Sequence, residues 1–152
     1  MVWSCLVSIL PGMAQTEKLT DYVNPFVGTD GYGNVYPGAQ IPFGGIQISP
    51  DTDSRFYDAA SGYKYNHLTL MGFSLTHLSG TGIPDLGDFL FIPGTGEMKL
   101  EPGTHEDPDQ GYRSRYSHDK EWASPNYYAV ELADYGVKAE MTSGVRSGMF
   151  RF

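Results

Sequence analysis

Cysteine is almost absent: Cys5 is the only one in 152 residues. It stands inside a short apolar leader, so the chain beyond that leader has neither a disulfide nor thiol chemistry available to it. Cationic charge is scarce too, with 10 Lys and Arg against 18 Asp and Glu and a formal net charge of −8. No basic cluster is present to neutralise a phosphate backbone, which argues against nucleic acid, or to hold an anionic membrane surface. The apolar run Val2 to Leu10 is far too short to span a bilayer. Histidine is rare, and His67, His77, His105 and His118 never fall at zinc-ligand spacing. Helical periodicity is missing over any useful length, which sets aside the helical bundles.

What is present at the start fits export. The run VWSCLVSIL is followed by Pro11-Gly12 and then by Gly12-Met13-Ala14, a small-x-small cleavage pattern before Gln15, although no Lys or Arg precedes it. The expected organisation is a signal peptide over 1–14, a polar lead-in over 15–21 and one domain over 22–152. The expected location is the periplasm or the cell exterior.

The domain itself is rich in turn formers and rings, with Gly 19, Pro 10 and Tyr 11. Short alternating or apolar runs predict strands over 46–49, 68–73, 89–92, 97–100, 112–116, 127–132, 137–141 and 147–152. Residues 22–27, YVNPFV, read as an extended piece, and Asp134-Tyr135-Gly136 as a tight hairpin turn. The alternation in YRSRY, Tyr112 to Tyr116, predicts one buried and one wet face. Strands this short, separated by Gly and Pro turns, predict an all-β fold, an antiparallel β-sandwich. The final MFRF breaks off inside a strand pattern, which would leave an apolar edge unpaired, so a domain truncated at its C-terminus is expected.

Polar chemistry concentrates in Phe73 to Asp88, FSLTHLSGTGIPDLGD, between apolar flanks. Glycine there lets backbone approach a ligand closely. Ser79 lacks the Gly-x-Ser-x-Gly elbow of a nucleophile, so a hydrolytic triad with His77 is not supported. The glycines of Gly28 to Gly45 miss the dinucleotide and Walker spacings. Asp30 and Asn34 resemble a calcium loop only loosely, because the closing Glu is missing. Asp85 and Asp88 form one close pair, and Asp51, Asp53 and Asp58 another cluster. Such pairs in loops more often cap turns than serve as the two carboxylates of a glycosidase. Hydrogen bonding of Asp and His to sugar hydroxyls is the role that fits better.

Three stretches agree in order and spacing with a known family: DYVNPFVGTDGYGNVYPGAQIPFGGIQISPDT, SGYKYNHLTLMGFSLTHLSGTGIPDLGDFLFIP, and YSHDKEWASPNYYAVELADYGVKAEMTSGVRSGMFRF. On these residues, from about Thr20 to Phe152, the chain resembles the N-terminal domain of glycoside hydrolase family 92, exported bacterial α-mannosidases. HLSGTG followed by DLGD is the most specific part. The resemblance implies a two-domain parent, a β-sandwich followed by an (α/α)6 barrel. It also implies calcium-dependent, exo-acting, inverting hydrolysis of terminal α-mannosides on a mannose-containing glycan. Both catalytic carboxylates, and most groups around the calcium, would come from that C-terminal barrel, so no catalytic residue is expected in this chain. Its loops would form one wall of the sugar pocket, with Asp30, Asp58, Tyr63, His77, Ser79, Gly80, Thr81, Gly82, Asp85 and Asp88 as the expected substrate-binding positions. Two departures bear on specificity. Many members carry a Trp- and Cys-containing stretch, something like GWDWCSGY, where this chain reads Arg55 to Tyr63 without either residue. Leu75 also stands where His is frequent. A carbohydrate-binding module without chemistry and a purely structural interdomain β-domain remain as alternatives.

Overall fold

The computed structural model of the chain describes residues 17–53, 57–80, 82–85 and 87–152, the side chain of Asp58 excepted. The expected leader over 1–14 and Thr81 lie outside the described residues. The strands are Ser49–Asp51 (β1), Thr69–Leu70 (β2), Gly72–Ser74 (β3), Ser114–Arg115 (β4), Glu121–Ser124 (β5), Tyr127–Leu132 (β6), Val137–Ser143 (β7) and Gly148–Arg151 (β8). Every pairing between them is antiparallel: β1 with β3, β2 with β4, and a four-stranded sheet in the order β5-β6-β7-β8.

Regular structure is densest where alternation in the sequence is strongest. Along the four-stranded sheet the register sets Ala123 opposite Tyr128, Tyr128 opposite Met141, and Met141 opposite Phe150, one row on one face. The opposite face carries Trp122, Glu131, Lys138, Glu140 and Arg151, with Glu140 accepting from Tyr127 Oη at 2.6 Å and Arg151 Nε at 2.7 Å. Asn126 turns the β5–β6 hairpin at φ 59°, a left-handed conformation that Asn tolerates, and its Oδ1 accepts the backbone N–H of Ser143 at 3.0 Å. Gly136 closes the β6–β7 turn at φ 62°, as the sequence predicts.

The two small sheets cover the inner face and complete the sandwich. Ile48, Tyr63, Leu70, Phe73 and Tyr116 from the first half form one core with Tyr128, Val130, Leu132, Ala139 and Met141. Burying a side chain of this size contributes about 1.5–3 kcal/mol each. A polar clasp also joins the layers. Glu121, buried on the inner face, accepts from the hydroxyls of Tyr63 and Tyr128 and from His118 Nδ1 at 2.6 Å. Burial, with negative charge nearby, drives the Tyr63 and Tyr128 phenols far above their usual range, so both remain donors.

Several local expectations change. The strand expected over 46–49 lies at Ser49–Asp51, with Ile48 only bridging Ala39. Tyr22 to Val27 is not extended: Leu19–Tyr22 is a 3-10 turn, and Asn24 then accepts the Phe26 N–H at 3.0 Å, an Asx turn across Pro25. Residues 68–73 split into β2 and β3 at Met71, because the chain leaves β4 to pair with β1; Gly72 makes this possible, since a Cβ there would lie 2.7 Å from Phe91 O. Residues 89–92 and 97–100 find no partner strand, leaving one bridge between Phe73 and Phe91 and Met98 and Leu100 exposed. In YRSRY the faces do not separate, because Arg113 is buried and donates from Nη1 to Thr52 O at 2.6 Å. Strand β5 is additional; EWAS carries no apolar alternation to announce it.

Candidate functional site

Three glycine-bearing segments meet at one end of β1 and β3. The Gly80 N–H donates to Asn34 O at 2.6 Å, which ties the loop after β3 to the Gly28–Val35 loop. Ser61 Oγ donates to Val35 O at 3.1 Å, which brings in the segment before β2. Asn34 holds φ 48° at this junction. Each contact joins residues far apart in the chain, so the meeting point is a product of the whole fold.

His77 anchors the loop from beneath. Its Nδ1–H donates to Gln47 O at 2.7 Å, and Nε2 lies 3.0 Å from both Asp51 Oδ1 and Ser74 Oγ. A carbonyl can only accept and a carboxylate prefers to, so both ring nitrogens are best served as donors and the ring as imidazolium. Burial pushes the His77 pKa down, but the charge and hydrogen bond of Asp51, with the Gln47 carbonyl, outweigh it and raise the pKa above 6.5. Gly62 is required beside the pair: a Cβ there would lie 2.2 Å from Asp51 Oδ1. The ring of Tyr36 packs 5.1 Å from His77, its own pKa pushed up to about 12 by burial.

Above this pair lies a cavity of about 80 Å³, lined among others by Asp51, Ser61, Gly62, His77, Asp85 and Gly87. Ligand pockets usually enclose about 300–1,000 Å³. This notch is therefore sized for part of a small molecule, such as one or two hydroxyl-bearing groups.

The expected positions distribute unevenly around it. Ser79, Gly80, Asp85 and Asp88 are exposed on the loop and Gly82 is half-buried, with Asp88 accepting from Thr76 Oγ1 at 3.2 Å. Asp30 is exposed on the neighbouring loop and accepts the Gly31 N–H at 2.8 Å. His77 and Tyr63 are buried, His77 in the clasp beneath the loop and Tyr63 in the core on Glu121. Thr81 and the Asp58 side chain lie outside the described residues. Gln47, Ser74 and Gly62 were not expected to take part. Asp51 was visible only as one of a cluster of aspartates, and nothing in the spacing pairs it with His77. Among the described residues no group of three or more His, Cys, Asp or Glu is placed to hold a metal ion.

Similarity to known proteins agrees with this architecture. The family model of the glycosyl hydrolase family 92 N-terminal domain matches residues 22–152. An uncharacterized secreted glycosidase of Arthroderma benhamiae is 30% identical over 133 residues, 86% of this chain and 17% of that protein. Among solved structures, the GH92 family glycosyl hydrolase CcMan5 superposes with TM-score 0.70 at 32% identity, over 86% of this chain and 18% of that one. The family GH92 inverting mannosidase BT2199 from Bacteroides thetaiotaomicron shares the fold, with TM-score 0.60 at 24% identity over 89% of this chain and 18% of that one. The chain thus spans less than a fifth of the length of these relatives. With the match running from Tyr22 to the last residue, the chain belongs to glycosyl hydrolase family 92, as its N-terminal domain.

Proposed function

We propose that this chain is the N-terminal part of an exported, exo-acting, inverting α-mannosidase and forms one wall of its sugar pocket. The observation that carries the reading is the incomplete site. Exposed Asp85 lines a notch of about 80 Å³, too small for a hexose to enter whole, while its buried carboxylate, Asp51, is committed to His77. Inversion needs an acid on the leaving oxygen and a base on a water, about 6.5–9.5 Å apart. Those two carboxylates belong to the companion (α/α)6 domain, and so do most ligands of the calcium the parent requires. The loop's contribution is positional: backbone N–H groups and Asp85 fix hydroxyls of the terminal mannose so that its anomeric carbon faces the acid and base. Export is in keeping with the secreted relative, and mannose with the relative described as an inverting mannosidase.

The test uses the full-length glycosidase and α-mannobiose with calcium, following the anomer released by proton NMR. The full-length protein is expected to release β-mannose first, and the 152-residue chain alone to release none. Release of the α-anomer, or turnover by the chain alone, refutes this division of labour. Saturable mannose binding by the chain with no hydrolysis by the longer protein would favour a binding module instead.

A further inference from the structure

We infer that residues 97–100 form an open strand edge that receives a β-strand from the part of the parent glycosidase lying outside this chain; this rests only on the part of the reading above that makes the chain one piece of a longer protein. The sequence GEMKLE alternates as a strand should. Yet among the described residues no backbone N–H or C=O of 97–100 pairs with another backbone group. The segment is still held at both ends. Gly96 turns the chain into it at φ 86°. Directly after it, Glu101 O accepts the Tyr112 N–H at 2.8 Å and Pro102 O accepts the Arg113 N–H at 3.2 Å. The backbone is thus set in place with its hydrogen-bonding groups unused by the chain.

The side chains call for the same occupant. Met98 and Leu100, two apart and so on one side of an extended segment, are 84% and 80% exposed. Both line a groove of about 450 Å³ with Leu90, Ile92, Tyr112 and Tyr135, among others, and Tyr135 Oη donates to Tyr112 O at 2.6 Å. An apolar groove beside a run of unused peptide groups suits an added strand, whose alternate side chains pack next to Met98 and Leu100 while its backbone supplies the hydrogen bonds. Lys99, the residue that could guard such an edge, is instead bonded through Nζ to Asp109 O. A small apolar ligand could fill the groove but not satisfy successive peptide groups. The relatives point to the source of the strand: this chain spans only 17% to 18% of their length. A strand from the same polypeptide also meets the edge at an effective concentration that a separate protein lacks.

The experiment is native-state hydrogen exchange on the full-length glycosidase, read amide by amide across 97–100. Pairing along one edge engages every second residue. Either Glu97 and Lys99 or Met98 and Leu100 are therefore expected to exchange about a hundredfold or more slower than unstructured amides, with the other two fast. Leu100→Asp is expected to cut that protection by about tenfold or more, and dilution of the protein by about tenfold to leave it unchanged. Four fast amides overturn the strand. Four slow ones overturn it as well, because a packed surface then covers the segment, and protection lost on dilution does so by seating a second copy there. Assay of the same protein on α-mannobiose tests the pocket-wall reading separately. Alternating protection without cleavage upholds the strand and overturns that reading, whereas cleavage with four fast amides does the reverse.

Discussion

Replacing His77 with alanine tests how the loop after β3 is held. The substitution removes the donor to Gln47 O and to Asp51 Oδ1 at once, and leaves a carboxylate that is 4% exposed without its counter-charge. Removing one partner of a buried ion pair costs about 3–5 kcal/mol, because the stranded charge keeps its desolvation penalty. The loss falls first on the segment the ring anchors, whose amides are otherwise tied by Gln47 N to Leu75 O, Gly80 N to Asn34 O and Gly87 N to Thr76 O. Native-state hydrogen exchange reads that directly. At about 1.4 kcal/mol per factor of ten, exchange at these amides is expected to accelerate by about a hundredfold or more. Acceleration of less than about fivefold refutes the clasp. The pH dependence gives a second, independent outcome. The folded-state pKa of His77 lies above 6.5, so the folded protein binds this proton more tightly than the unfolded chain does. Its stabilisation is complete below pH 6.5 and declines as pH rises through the folded value, by at most about 1.4 kcal/mol per unit. Protection of the loop, corrected for intrinsic exchange, is therefore expected to fall across that window in the parent and stay flat in His77→Ala. Protection that rises there instead means a ring held neutral.

Two further substitutions test the scaffold. Glu121→Gln turns one acceptor oxygen into an N–H₂ facing the Tyr63, Tyr128 and His118 donors, and is expected to lower stability by about 3 kcal/mol, read as a lower Tm; a change below about 1 kcal/mol refutes the inter-layer clasp. Gly38→Ala would place a Cβ 1.9 Å from Ile48 O, beside the Ala39–Ile48 bridge, and is expected to cost about 1–3 kcal/mol through forced separation of those segments, with thermal unfolding unchanged if the contact can relax freely.

How much of this the sequence discloses depends on the range of the interactions involved. Strands β6, β7 and β8 and the turn at Gly136 are legible because alternation and turn chemistry act over a few residues. The break between β2 and β3 is not, because LTLMGF is locally a good strand and what divides it is a choice of distant partners, Asp51 opposite Gly72 and Arg115 opposite Thr69 in the observed registers. The strand expected at 97–100 fails for the matching reason: local alternation without a neighbour to pair with. At the site, the loop's place and its exposed Ser79, Gly80 and Asp85 follow from polarity and glycine content. The roles of its buried members do not. Tyr63 meets Glu121 58 residues on, and His77 meets Asp51 26 residues back, so no spacing rule links either pair.

The glycines sharpen that distinction. In the sequence they read alike, as places where backbone could come close to a ligand. In the fold they divide by what a side chain would strike. At Gly62 it is Asp51, at Gly82 Tyr57, and at Gly38 the Ile48 carbonyl, so these glycines admit the protein's own groups. Gly80 has nothing within 4 Å of a Cβ and holds φ 77°, so it is glycine for its conformation, which turns its N–H onto Asn34 and leaves the tip open to solvent. The two kinds predict different mutants. Alanine at Gly62 should disturb the His77–Asp51 pair and with it the whole loop, whereas alanine at Gly80 should strain one turn by about 1 kcal/mol and leave the clasp intact. A loop built this way keeps its interior for its own anchoring and offers a ligand only its surface, as the proposed role of one wall in a pocket shared with another domain requires.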